Sequence, residues 1–312
     1  MTRRQLLAAL SAGLTAAPAW GATADITVGI TCDTRPDWNG PPNFLRAINE
    51  CSELGYHWIE TFWPYVSRWG DRPEELIDVL AELDLKMETV SNGGGQNTAF
   101  QDPTQRADVI ETHMKLVRFI KALGCDHLKI NCGGRNPGGN TDEIYRNQAK
   151  TFDELGNRIS DEGIKFGVHA HLFSQFETPQ DVQRIMEITD PNHVYFVLDT
   201  GHVTMAGMDS LALTKQLGHR IIEYHLKDVA PNNKGGYKGP ALDRRNVNTR
   251  PDNRIFFELG AGGVDFEGIQ AHLNSIEWKG WFTVELDRTA TTAKDSATTS
   301  KAYLENVLGL KA

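Results

Sequence analysis

Four runs of this chain end in residues that bind cations or move protons. Val194-Tyr-Phe-Val-Leu-Asp199 leads into Thr-Gly-His202, Ile221-Ile-Glu-Tyr-His225 into Leu-Lys227-Asp228, and Trp281-Phe-Thr-Val-Glu285 into Leu-Asp287. Upstream, Ile164-Lys-Phe-Gly-Val-His169 leads into Ala-His171. Imidazoles and carboxylates together make a mixed N/O donor set, which suits a divalent ion such as Mn²⁺, Zn²⁺, Co²⁺ or Mg²⁺. A carboxylate between Val284 and Leu286 is costly to bury alone. One cation shared by Asp199, His225 and Glu285 meets that cost for all three. His169 and His171 lie two apart and share a strand face, so either or both can reach such an ion. The expectation is His169 as ligand, with His171 beside it as a catalytic group.

These residues converge only if their strands lie side by side and parallel. The runs are short, β-branched and aromatic, as buried strands are. From Ile26 onward such runs alternate with amphipathic stretches. The strands are read at Ile26–Thr31, Tyr56–Glu60, Lys86–Val90, His127–Asn131, to His171, to Asp199, to Asp228, and at Gly280–Leu286. A helix is read after each, from Asn43 to Leu54 for the first and from Ser296 to Leu308 for the last. Eight β/α units in one chain give an α/β protein with a single (β/α)8 TIM barrel of eight parallel strands, over residues 25–312. In such barrels chemistry sits at the C-terminal strand ends and the loops that follow them. Asn131, which ends the fourth strand, is expected to bind substrate there.

Two loops draw further expectations. Trp63, Tyr65 and Trp69 follow the second strand and offer aromatic faces to a sugar. The long stretch from Ala230 to Ile255 reads as a lid or binding loop, with Arg244, Arg245 and Arg250 available to an anionic substrate.

The remaining features bound the function. With 41 acidic against 32 basic residues, the formal charge of −9 argues against a nucleic-acid partner. No stretch has the roughly 20 apolar residues of a membrane span. Cys32, Cys51, Cys125 and Cys132 have neither metal-site spacing nor the density of a disulfide framework, and read as free thiols. Residues 1–24 have the form of an export signal: Arg3-Arg4 before Gln-Leu-Leu, an Ala-rich apolar run to Trp20, and small residues at Ala22-Thr23-Ala24. The arginine pair resembles a twin-arginine signal. The expectation is therefore a periplasmic or secreted protein with no stable membrane anchor.

Leu198-Asp-Thr-Gly-His202, Tyr224-His-Leu-Lys-Asp228, Leu259-Gly-Ala-Gly-Gly-Val-Asp-Phe266 and Val284-Glu-Leu-Asp287 together resemble the sugar phosphate isomerase/epimerase superfamily. This xylose isomerase-like group includes endonuclease IV, ketose 3-epimerases, inosose dehydratases and eliminases of 3-keto-glycosides. The resemblance runs from about Ile26 to Leu308. It implies Asp199, His225 and Glu285 as ligands of one divalent ion, Mn²⁺ first and Zn²⁺, Co²⁺, Fe²⁺ or Mg²⁺ after it. It also implies Glu60 on the second strand, with His202 and Lys227 lining the pocket.

Epimerases of the group carry a glutamate where this chain has His169, so only one of their two opposed carboxylates remains. The histidine resembles the dehydratase and keto-glycoside eliminase branch. The implied enzyme removes a proton next to a ketone with Glu285, His169 or His171, and supplies one to a leaving oxygen from His202 or Glu60. Elimination is expected ahead of isomerisation or epimerisation, on a small carbohydrate. A barrel of this kind often forms a homodimer. The other classes are a sugar-binding barrel without catalysis and a DNA-repair phosphoesterase. The second would need a basic groove and more ligands.

Overall fold

A computed structural model describes residues 23–93 and 96–312. The leader read in residues 1–24 falls almost wholly outside them. Eight strands form the sheet: β1 Asp25–Thr31, β2 Trp58–Phe62, β3 Lys86–Ser91, β4 His127–Asn131, β5 Lys165–His169, β6 Tyr195–Asp199, β7 Ile221–Leu226 and β8 Lys279–Val284. Each is followed by a helix: α1 Phe44–Glu53, α2 Pro73–Ala81, α3 Arg106–Ala122, α4 Asp142–Asp161, α5 Pro179–Ile188, α6 Ser210–Leu217, α7 Phe266–Ser275 and α8 Ala293–Asn306. Seven parallel pairings run β3-β2-β1-β8-β7-β6-β5-β4.

The eighth seam, between β3 and β4, is closed by side chains. Thr89 Oγ1 donates to the His127 carbonyl at 2.8 Å. The Asn92 side chain accepts from Asn131 N–H at 2.8 Å and donates to Asn131 O at 3.0 Å, copying a strand's donor and acceptor. An α/β TIM barrel results.

Local chemistry sets the element ends. Thr178 and Asp181 form a reciprocal capping box at α5, and Thr141, Asp209, Asp265 and Thr292 cap α4, α6, α7 and α8. Gly124 and Gly163, at φ of 82° and 77°, turn the chain after α3 and α4, where a side chain would strain the left-handed backbone. The second strand starts at Trp58 rather than Tyr56, and β5, β7 and β8 end two residues before His171, Asp228 and Leu286. Tyr56 is instead a fully buried residue of the preceding turn.

The strands are buried on both faces, and the faces differ. Outward residues such as Tyr224, Phe282 and Trp278 pack edge to face beneath the helices. Inward residues are largely polar: Glu60, Glu88, His127, Lys129, His169, Glu223, His225 and Thr283 are all at most 2% exposed. Gly29 makes room for one of them, since a Cβ there would lie 1.9 Å from Glu88 Oε2.

Loops finish the C-terminal mouth. The long loop is bracketed by an antiparallel pair, Asp228–Val229 with Phe256–Phe257. The Asp228 carboxylate accepts five backbone N–H groups, from Val229, Gly260, Gly262, Gly263 and Val264. All four cysteines are free and buried. Among the described residues no helix is long and apolar enough to cross a membrane.

Candidate metal centre and active site

Strand alternation carries His169, Asp199, His225 and Glu285 to one point at the C-terminal mouth. One ligand atom from each lies within 4.8 Å of the others. Asp199 Oδ2 is 3.6 Å from His169 Nε2 and 3.7 Å from His225 Nδ1, and Glu285 Oε2 is 2.5 Å from His225 Nδ1. Asp199 has two tasks. Its Oδ1 caps the short helix Thr200–Met205 by accepting His202 N–H at 2.8 Å, and its Oδ2 faces the cluster. A cap and a ligand are therefore compatible in one carboxylate.

Several observations fit a divalent ion. His169 Nε2 is buried with no hydrogen-bond partner, which is costly unless something else satisfies it. His169 Nδ1 pairs with Asn131 Oδ1 at 2.7 Å. An amide oxygen only accepts, so the ring proton sits on Nδ1 and the Nε2 lone pair faces the cluster. Burial first, then the Lys129 and His225 charges, lower His169 to about 3, the neutral form a ligand needs. Burial alone would raise Asp199 and Glu285, but the Lys227 ammonium holds both well below the usual carboxylate range. Two nitrogens and two carboxylate oxygens suit Mn²⁺, Zn²⁺, Co²⁺ or Fe²⁺.

Around this set lie the proton-moving groups. Lys227, fully buried, reaches Glu285 at 3.0 Å, Asp199 at 3.1 Å and Asp287 at 2.6 Å. Burial opposes its charge, but Asp199, Asp287 and Glu285 together push its pKa well up. The His171 and His202 rings stack with centroids 3.7 Å apart. Burial lowers both, His202 strongly, so neither is protonated at neutral pH. His171 Nδ1 donates to the Leu172 carbonyl at 2.6 Å, which leaves Nε2 free to accept a proton. His202 Nδ1 accepts Leu172 N–H at 3.2 Å, and its Nε2 lies 3.2 Å from the Lys227 ammonium.

The structure places several expected site residues away from the cluster. Glu60 lies on the inner side of His225, 2.8 Å from its Nε2, 2.9 Å from Thr31 Oγ1 and paired with Lys129. Trp69 is 6% exposed and packs on Phe44, and the half-buried Trp63 packs edge-on against Phe119. Arg244 is exposed, and the exposed Arg250 pairs with Asp252 at 3.0 Å, as Arg245 does with Asp243 at 2.7 Å. The guanidinium at the rim is that of Arg35, 3.8 Å from Asp287 Oδ2. Asn131 holds His169 rather than facing a ligand.

The long loop does reach the site, through a different residue. Asn248 Nδ2 lies 3.4 Å from Asp287 Oδ2, and its carbonyl accepts from Arg288 Nε at 3.0 Å. Asp287, Asn248, Lys129 and Glu223 were not foreseen. For Lys129 and Glu223 the signal was available: each is two residues from a suspect on its own strand and so shares its face.

The fold and site define a (β/α)8 barrel with a candidate divalent-metal centre at its C-terminal mouth. The chain belongs to the xylose isomerase-like TIM barrel family, whose model matches residues 48–307, and it is an enzyme of that family. It is similar to an inosose dehydratase of Clostridium botulinum, 24% identical over 278 residues that cover 84% of this chain and 88% of the relative. Two solved structures share the fold. One is the IolI protein with a zinc atom, at TM-score 0.68 and 17% identity, covering 91% of this chain and 98% of that one. The other is the apo 3-keto-D-glucoside 4-epimerase YcjR of E. coli, at TM-score 0.65 and 14% identity, covering 90% of this chain and 100% of that one.

Proposed function

We propose that this enzyme is a divalent-metal-dependent lyase of keto-sugars or 3-keto-glycosides, held by His169, Asp199, His225 and Glu285 around the ion. The carrying observation is the convergence of those four ligand atoms with His171, its Nε2 free, beside them. A bound ion would polarise the ketone and stabilise the enolate that forms next to it.

The chain's own residues do the rest. His171 Nε2 accepts the proton from the carbon next to the ketone. The C–H pair becomes the new C=C bond as the bond from the β-carbon to its oxygen breaks, and the proton taken by His171 passes to the departing oxygen, with His202 packed against the His171 ring. Lys227 keeps Asp199 and Glu285 ionised throughout and pairs with Asp287. The relative's name, a dehydratase, supports elimination, because loss of water and loss of an alcohol differ only in the leaving group. The name of the glucoside epimerase supports a 3-keto substrate. The leader read in residues 1–24 supports action outside the cytoplasm, on unphosphorylated sugar.

Turnover of a 3-keto-glucoside panel and of an inosose in D₂O tests this. Release of aglycone or water with an unsaturated ketone is the expected result. Deuterated, C-epimerised sugar with nothing released would replace the lyase with an epimerase.

A further inference from the structure

Beneath the metal cluster, a line of close polar contacts runs down the barrel axis to the opposite mouth. His225 turns Nδ1 up to Glu285 and Nε2 down to Glu223 Oε1, at 2.9 Å. The other oxygen of Glu223 lies 3.0 Å from His127 Nε2. His127 Nδ1 lies 2.7 Å from Asp126 Oδ1, which also accepts Trp281 Nε1–H at 3.1 Å. Asp126 is 62% exposed, beside a cavity of about 180 Å³ at the N-terminal mouth that His127, Trp281, Lys165 and Lys279 line. Glu223, His225 and His127 are at most 1% exposed.

Each imidazole in this line uses one nitrogen on each side, and Glu223 uses one oxygen on each side. Turning any ring or carboxylate breaks a bond at both ends. Nδ1 faces the Glu285 carboxylate and Nε2 the Glu223 carboxylate, so a ring that gave Nδ1 to a metal would keep its proton on the Nε2 edge. Glu60 also accepts from that edge, but it is tied to Lys129 and Thr31 and leads no further. The line through Glu223 alone connects the ligand to the far surface.

We propose that Asp126, His127 and Glu223 are positioning residues for His225, fixing from the N-terminal mouth which edge of its ring meets the metal. This rests on the metal-centre reading above. In barrels of this kind the N-terminal face mostly serves stability, so the proposal assigns that face of this chain a share in the chemistry.

Titrating the metal-free full chain with Mn²⁺, and with Co²⁺ for its visible spectrum, tests it in the wild type, His127→Gln and Asp126→Asn. Loss of an outer partner of a ligating histidine typically costs 10–100-fold in affinity. His127→Gln should therefore weaken Mn²⁺ binding roughly 10-fold and shift the Co²⁺ absorption. Asp126→Asn, at an exposed position, should weaken it about threefold with the unfolding temperature unchanged. Glu223→Gln, which keeps an acceptor, should lose less than Glu223→Ala. Should His127→Gln fail to fold, Asp126→Asn decides. Wild-type affinity and spectrum in the variants would overturn the proposal while leaving the metal centre standing. A wild type that binds neither ion would overturn the metal centre itself.

Discussion

The upper barrel interior, around His169, Asp199, His225 and Glu285, and the lower interior, around Glu60, Glu88, His127, Lys129 and Glu223, use the same side-chain chemistry. In the lower half the charges answer one another. Lys129 pairs with Glu60, and His127 bridges Glu223 and Asp126. Burial opposes a charge on His127, but those two carboxylates raise it to about 10. Burial, then Glu223 and Glu60, push Glu88 well up, so it keeps its proton beside Thr283. In the upper half one ammonium, that of Lys227, faces three carboxylates, Asp199, Glu285 and Asp287, and His169 is held neutral. Buried charge therefore does not mark the site by itself. A buried donor set converging beneath an open strand end does.

The largest break of this contrast is His225→Ala. It should reduce bound metal from about one equivalent to below about 0.1, measured by elemental analysis, and turnover by roughly a thousandfold or more. Full metal content in that variant would remove the distinction between the halves.

Next in size is Lys227→Met, which leaves three carboxylates facing one another and should cost about 3–5 kcal/mol in the metal-free protein. Added Mn²⁺ should restore more thermal stability to this variant than to the wild type, because the ion then supplies the missing charge. Equal metal-induced shifts in Tm would detach Lys227 from the cluster.

The pH dependence sharpens the contrast further. His169 is neutral in the fold down to about 3, whereas the unfolded ring takes up a proton below about 6.5. Its contribution is therefore complete above pH 6.5 and is lost as pH falls toward 3. Metal-free protein should lose about 2 kcal/mol from this group between pH 6.5 and 5. His169→Gln should show a shallower fall over that range in denaturant titrations. Equal slopes would mean that His169 is not held neutral.

The smallest effects belong to the residues outside both halves. Arg244→Ala and Arg250→Ala should each leave kcat/KM within about twofold, as exposed side chains contribute little. A larger loss in KM would return the anion clamp to the lid.

The barrel was legible because its strands are short apolar runs at regular spacing, and because Asp199, His225 and Glu285 interrupt those runs at their C-terminal ends. The convergence of these with His169 follows from strand alternation alone. Glu60 was misread because the second strand starts two residues late, at Trp58, which puts Glu60 in mid-strand, below the mouth. Trp69 was misread because an aromatic beside a pocket and one packed under a loop have the same composition. Lys129 and Glu223 stayed hidden because attention to strand ends passes over the residue two places earlier, although it shares the inward face. Asn248 could not be foreseen, since nothing in a long polar loop says which residue folds back to Asp287.

The grip of Asp228 on Gly260, Gly262, Gly263 and Val264 lies outside both halves, yet it sets the terms on which the enzyme can change. It clasps the chain just beyond the long loop to the end of the strand before it. The intervening segment thus hangs from a fixed base and can be lengthened, shortened or exchanged without moving His225 or Lys227. The fold keeps an interchangeable cassette over an unchanging hearth, and new substrates can be explored there while the chemistry beneath is conserved.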